Sequence, residues 1–171
     1  SMSILILEPS GYSEKAISLY SEIGEVYLNS DQAELNKVEI LVVRLNYKID
    51  SKLCDQLENL KLVATPTTGL NHLDTDYLSR RGVKIISLRD APKKIKSISS
   101  TTEITIWHIV NLVRKASNAV SAVKFNNEWR RDDYKSRQLS SMVLGIVGLG
   151  RIGSQVANVC NCLLYTSPSP R

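Results

Sequence analysis

Aromatic side chains are scarce in this 171-residue chain, at 6% with a single phenylalanine, and there are only two histidines. The one compact basic run, Lys93-Lys94-Ile95-Lys96, has no aromatics interleaved with it, and other cations sit among acids, as in Arg130-Arg131-Asp132-Asp133. A net charge of +5 and a pI of 9.1 therefore describe a mixed solvated surface, and nucleic acid is not an expected partner. Cys54, Cys160 and Cys162 cannot all pair with one another and lack the spacing of a zinc site, so reduced thiols in a cytoplasmic compartment are expected. No stretch approaches the roughly 18 uninterrupted apolar residues of a spanning helix. The start carries no basic segment leading into an apolar core and cleavage site, so neither membrane insertion nor secretion is expected.

What is present is the rhythm of a parallel α/β sheet, with β-branched and apolar runs alternating with helix-like stretches. Ile4-Leu5-Ile6-Leu7, Val26-Tyr27-Leu28, Ile40-Leu41-Val42-Val43, Leu62-Val63-Ala64 and Val83-Lys84-Ile85-Ile86 read as strands. Ser13 caps a helix with Ala16, Ile17 and Tyr20 on one face. Asp50 or Ser51 opens another with Leu53, Leu57 and Leu60 inward, and a third through residues 73–78 stops at Gly82. Residues 89–99, with Pro92 and three lysines, read as a crossover. Ser100-Thr101-Thr102-Glu103 then matches a capping box, and the helix of residues 104–115 is apolar almost all round, which calls for cover on both sides. A helical stretch near residues 117–124 follows, then a polar loop, then a last strand, Met142-Val143-Leu144-Gly145-Ile146-Val147.

Directly after that strand stands Gly148-Leu149-Gly150-Arg151-Ile152-Gly153, followed by a segment able to form a helix. Strand before and helix after is the context that makes this glycine pattern a dinucleotide fingerprint. Gly148 permits the tight turn, Gly150 lets the backbone approach a pyrophosphate, and Gly153 lets helix and strand pack closely. A glycine-rich turn without ligand is the alternative. The acid that normally holds the ribose about 20 residues on is missing, since residues 154–171 contain no Asp or Glu.

The chain's end is unlike the rest. Residues 162–171, Cys-Leu-Leu-Tyr-Thr-Ser-Pro-Ser-Pro-Arg, resemble the translation of a transposase sequencing adapter, which leads to the expectation that native sequence stops near Asn161. A genuine Ser/Pro tail is the other reading. Ser1 before Met2 is set aside as a scar or a fragment edge.

Four segments in order, residues 60–74 (including Thr65-Pro66-Thr67-Thr68-Gly69-Leu70-Asn71-His72), Arg80-Arg81-Gly82-Val83, Ser100-Thr101-Thr102-Glu103 and residues 144–153, resemble the N-terminal half of a D-isomer-specific 2-hydroxyacid dehydrogenase of the phosphoglycerate-dehydrogenase-like branch. The first sixty residues fit only by pattern. The resemblance implies an α/β fold: a flavodoxin-like or Rossmann-like parallel-sheet substrate domain over residues 1–98, then the truncated start of a Rossmann NAD-binding domain over residues 99–161. It implies that Thr67-Thr68-Gly69 faces the nicotinamide across a cleft, with amides at Thr68 and Gly69 receiving a substrate carboxylate; a plain tight turn is the alternative. Gly148, Gly150, Arg151, Ile152 and Gly153 would hold NAD, with Thr102 a weaker nicotinamide contact.

The implied activity is NAD-dependent interconversion of a small D-2-hydroxy acid and its 2-oxo acid, in a protein that dimerises through the helix of residues 104–115. The Arg, acid and His that such chemistry needs are expected beyond the fingerprint, so no catalytic residue is assigned here. His108 reads as a packed core or interface residue, and His72, beside the loop, as the histidine nearer to ligand. Arg89 and Lys93 are cleft-side possibilities, with solvated loop charges the plainer reading. Two rivals are an NADH-sensing corepressor-like module of the same fold and a stand-alone flavodoxin-like binding domain of residues 1 to about 98.

Overall fold

The apolar runs of the first half become strands because both faces of the sheet they form are covered. β1 (Met2–Ile6), β2 (Gly24–Tyr27), β3 (Ile40–Val42), β4 (Leu62–Thr65) and β5 (Lys84–Ser87) lie in the order β2-β1-β3-β4-β5, every neighbouring pair parallel. Successive side chains of a strand point to opposite faces. Leu5, Leu41, Val43 and Val63 accordingly join Ile49, Leu57 and Leu78 in one buried cluster, while Ile4, Ile6, Ile40 and Val42 meet Tyr12, Ile17 and Tyr20 in the other. Each fully buried Leu or Ile contributes about 2 kcal/mol by leaving water. The computed structural model describes residues 2–163.

Two helices start where the sequence places their caps, and a third starts at a cap not singled out from sequence. Ser13 accepts from the Ala16 amide ahead of α1 (Glu14–Ser21), Asp50 from the Leu53 amide ahead of α2 (Ser51–Cys54), and Asp74 from the Tyr77 amide ahead of α3 (Thr75–Arg80). α2 is a single turn, yet Leu57 and Leu60 beyond it are buried as its inner side requires. Gly82 ends α3 with a φ of 70°, a left-handed angle that glycine adopts freely. The chain divides into two compact units, Ser1–Ile95 and Lys96–Arg171, and the crossover of residues 89–99 contains that boundary as α4 (Pro92–Lys96).

The second unit departs from its expected form. It consists of α5 (Ser100–Arg114), α6 (Ala116–Asn126) and α7 (Arg151–Leu163) with turns between them. Residues 142–147 do not form the expected strand. A strand is a property of a pair, and no described residue of this unit offers them a ladder. The capping box at Ser100 is also displaced: Ser99 is the N-cap, it makes no side-chain bond to the helix backbone, and its hydroxyl donates to the Glu103 carboxylate. A complete box stands instead at Ser87 and Asp90, at the end of β5. α5 is covered on one side only. Ile106, Ile109, Val110 and Val113 line a small apolar cavity with Met142, Leu144, Cys160 and Leu163, while Ile104, Trp107 and Leu112 are exposed. Cys162 and Leu163 continue α7, and the remainder of the segment read as foreign lies outside the described residues.

Candidate functional site

In an open parallel sheet the loops beyond the strand carboxyl ends are where ligands collect. The loop after β4 is held there carbonyl by carbonyl. The Leu88 amide donates to the Thr67 carbonyl (3.1 Å), Arg89 Nε to the Thr68 carbonyl (2.5 Å), and the Thr67 hydroxyl to the Gly69 carbonyl (2.7 Å). A trans peptide points its N–H opposite to its C=O, so these three bonds turn the amides of Thr68, Gly69 and Leu70 away from the residues that grip the loop. None of the three amides has an acceptor among the described residues. Three consecutive free amides form a seat for an anionic oxygen. Leu70 was not among the residues singled out from sequence; its amide is free because Thr67 reaches forward two residues.

Gly69 borders a concavity of about 440 Å³ lined also by Asn46, Tyr47, Lys48, Asn71 and His72. Lys48 supplies a cation to that space. A neighbouring concavity past β1 and β3 is lined by Glu8, Ser10, Gly11, Arg44, Asn46 and Tyr47. Glu8 is nearly buried, and its carboxylate accepts from the Arg44 amide (2.7 Å) and the Asn46 amide (3.4 Å), which fixes the turn after β3. His72 Nε2 lies 3.1 Å from the Thr65 hydroxyl, while its Nδ1 is buried with no partner among the described residues. Burial pushes the imidazole pKa down, with Glu8 pulling the other way. Arg89, which sequence alone leaves as a loop charge, is a structural member of this loop through Thr68. Lys93 is exposed.

The glycines after residue 147 play three separate parts. Gly148 has a φ of 91°, which an L side chain rarely adopts. A Cβ on Gly153 would come to 2.1 Å from the Gly148 carbonyl oxygen. A Cβ on Gly150 would meet nothing within 4 Å, and its φ lies outside the left-handed range. Gly148 and Gly153 are thus required by the turn itself, whereas the space over Gly150 is open. The first N–H of α7 satisfied within the helix is that of Ser154, on the Gly150 carbonyl (2.9 Å). The amides of Arg151, Ile152 and Gly153 precede it without acceptors among the described residues, at the positive end of a 13-residue helix. A cradle that is open at Gly150, closed at Gly153 and lined by free amides fits a dinucleotide pyrophosphate.

Thr102, the weaker nicotinamide contact implied by the resemblance, sits at the start of α5. It is buried, and its hydroxyl donates to Gln155 Oε1 (2.5 Å), while Gln155 Nε2 donates to the Lys96 carbonyl (3.2 Å). It ties α5 to α7. The Arg151 guanidinium donates to the Ile98 carbonyl (3.1 Å), leaving its amide as the group available to an anion. His108 is exposed with its ring edge against Trp107, ring centroids 4.9 Å apart, so it is not a core residue of this chain. Burial pushes the thiols of Cys54 and Cys160 up. No group of three or more metal-type ligands occurs among the described residues.

Two family models match the chain. The model of the D-isomer-specific 2-hydroxyacid dehydrogenase catalytic domain matches residues 4–126, and that of the same family's NAD-binding domain matches residues 106–166. A D-3-phosphoglycerate dehydrogenase of Methanocaldococcus jannaschii is 29% identical over 161 residues, 91% of this chain and 29% of that protein. One of Bacillus subtilis is 34% identical over 138 residues, 81% of this chain and 25% of that protein. A D-lactate dehydrogenase from Aquifex aeolicus, solved with NAD and lactic acid, shares the fold with a TM-score of 0.75 at 24% identity, over 95% of this chain and 49% of that one. The chain spans less than a third of the length of these curated relatives.

Proposed function

The chain belongs to the D-isomer-specific 2-hydroxyacid dehydrogenase family, and on that premise we propose that the whole protein is an NAD-dependent oxidoreductase acting on the CH–OH group of a small D-2-hydroxy acid. The observation that carries this reading is the loop after β4, whose three successive carbonyls are engaged while the amides of Thr68, Gly69 and Leu70 stay free. Those amides receive the carboxylate of the 2-hydroxy or 2-oxo acid. On the second unit, the amides of Arg151 and Ile152 take the pyrophosphate, Gly150 leaves room for it, and Gly148 and Gly153 maintain the turn. The bound cofactor supplies the hydride chemistry. Thr102 serves by holding α5 and α7 together. The acid/base pair and the carboxylate-gripping Arg of such a reaction are not assigned to this chain, so the 171 residues alone turn over no 2-oxo acid.

Homodimerisation through α5 and a cytoplasmic location complete the proposal; the exposed Ile104, Trp107 and Leu112 support the first. The curated relatives described above are dehydrogenases, and no observation favours a nucleotide-sensing module. The test is a titration of the 15N-labelled chain with pyruvate, read at individual backbone amides, together with calorimetry against NADH. Saturable movement of Thr68, Gly69 and Leu70 with pyruvate, and binding of NADH that Gly150→Val abolishes, are expected. Pyruvate shifts confined to other residues would overturn the substrate-side assignment.

A further inference from the structure

The loop that carries the free amides rests on a line of side chains whose protons can be counted. The Thr67 hydroxyl donates to the Gly69 carbonyl at 2.7 Å. A hydroxyl has one proton, so in the 3.0 Å contact between the Thr65 and Thr67 hydroxyls the donor is Thr65. That uses the only proton of Thr65, and in its 3.1 Å contact with His72 the donor is therefore His72 Nε2. Every other assignment leaves one of the three contacts as lone pair against lone pair. The chain runs one way, from His72 through Thr65 and Thr67 to the carbonyl of Gly69.

We infer that His72 is a positioning residue, neutral with its proton on Nε2, which sets the direction of this hydrogen-bond chain and so orients the Gly69–Leu70 peptide and its free amide. The inference rests on the reading of this loop as the carboxylate seat. His72 Nδ1 supports it independently. That atom is buried and partnerless among the described residues. As a bare acceptor it leaves one lone pair unmet, whereas the opposite tautomer would bury an unpaired N–H and also break the link to Thr65. The cation would add a charge at the same spot, against the desolvation already acting there. The nearest acid, Glu8, has its oxygens committed to the Arg44 and Asn46 amides.

The tautomer is read directly by long-range proton–nitrogen correlations from the ring protons of the 15N-labelled 171-residue chain. With only two histidines, His108→Gln assigns the signals. The expected result at neutral pH is a protonated Nε2 and a bare Nδ1 in His72. A protonated Nδ1, with or without Nε2, overturns the inference, and this measurement depends on no variant of the site. Thr65→Val removes the hydroxyl that joins His72 to Thr67 at nearly constant volume. It is expected to abolish the tautomer preference, move the Gly69 and Leu70 amide signals and weaken pyruvate binding about tenfold, with Thr65→Ser restoring all three. An unchanged tautomer and unchanged pyruvate affinity in a folded Thr65→Val chain would overturn it as well. Failure of the underlying reading looks different: pyruvate then moves none of the three amides in the parent, whichever nitrogen carries the proton.

Discussion

Replacing Gly153 and Gly150 separates what the turn needs in order to fold from what it needs in order to bind. At Gly153 an added methyl would lie 2.1 Å from the Gly148 carbonyl oxygen and 3.4 Å from Ile146 Cγ2. Ordinary contact for such a pair is about 3.4 Å or more, so the backbone at Gly148 or the first turn of α7 must move by roughly 1 Å. Gly148 cannot absorb the movement cheaply, because its φ of 91° already occupies a narrow region. Overpacking of this kind costs about 1–3 kcal/mol. Alanine in a helix returns at most about 1 kcal/mol relative to glycine, and less in a first turn. Gly153→Ala is therefore expected to destabilise the second unit by about 1–2 kcal/mol. Gly150→Val meets open space and is expected to change its stability by less than about 0.5 kcal/mol while abolishing NADH binding. Both tryptophans, Trp107 and Trp129, lie in the second unit, so their fluorescence in a urea titration follows that unit. A Gly153→Ala midpoint equal to the parent's, or a Gly150→Val chain that binds NADH as the parent does, would refute the reasoning.

Two further outcomes follow from the first unit. The Arg81 guanidinium donates to the Cys54, Leu57 (2.9 Å) and Glu58 (3.3 Å) carbonyls, closing the turn after α2. Arg81→Ala is expected to cost about 1–3 kcal/mol, and Arg81→Lys to recover only a minor part because a point charge cannot fork across three acceptors; chemical denaturation followed by far-UV circular dichroism checks both. Burial lowers the His72 pKa from 6.5, so between that value and the lower folded one the unfolded chain binds more protons. Stability of the first unit is expected to fall as pH drops below 6.5, by no more than about 1.4 kcal/mol per pH unit from this group. His72→Gln should remove that component, as urea midpoints measured from pH 7 to pH 5 would show.

The central strands were legible because β1 and β3 are runs of β-branched and large apolar residues buried on two faces, and burial leaves its mark on composition, while the edge strands β2 and β5 show only short β-branched or aromatic stretches. Residues 142–147 carry the same mark and have no ladder, since composition records the preference of a segment and not the presence of a neighbour. Capping was half legible. Ser13 and Asp50 stand where their residue types predict, whereas Asp74 was not singled out and the box expected at Ser100 gives way to an N-cap at Ser99. Ser87-Leu88-Arg89-Asp90 has the spacing of a box and straddles the gap between the segment read as strand and the one read as crossover. At the loop, Thr68 and Gly69 could be reached by resemblance. The parts of Thr65, Thr67, His72 and Arg89 could not, because they come from the loop folding back on itself and from a bond across 21 residues between Arg89 and Thr68.

The unpaired segment at residues 142–147 governs how the chain behaves in a tube as well as how it is drawn. Met-Val-Leu-Gly-Ile-Val has no charge and no proline, Val143 and Val147 stand fully in water, and no ladder bond shields its backbone among the described residues. Such a stretch is a template for intermolecular pairing, the hazard that native sheets suppress with lysines, prolines and bulges at their margins. Concentrated samples are accordingly expected to develop thioflavin-positive material seeded at this hexapeptide. A lysine at Val143 or Val147, both on open surface, acts as a gatekeeper that lengthens the lag before fibrils without touching the first unit.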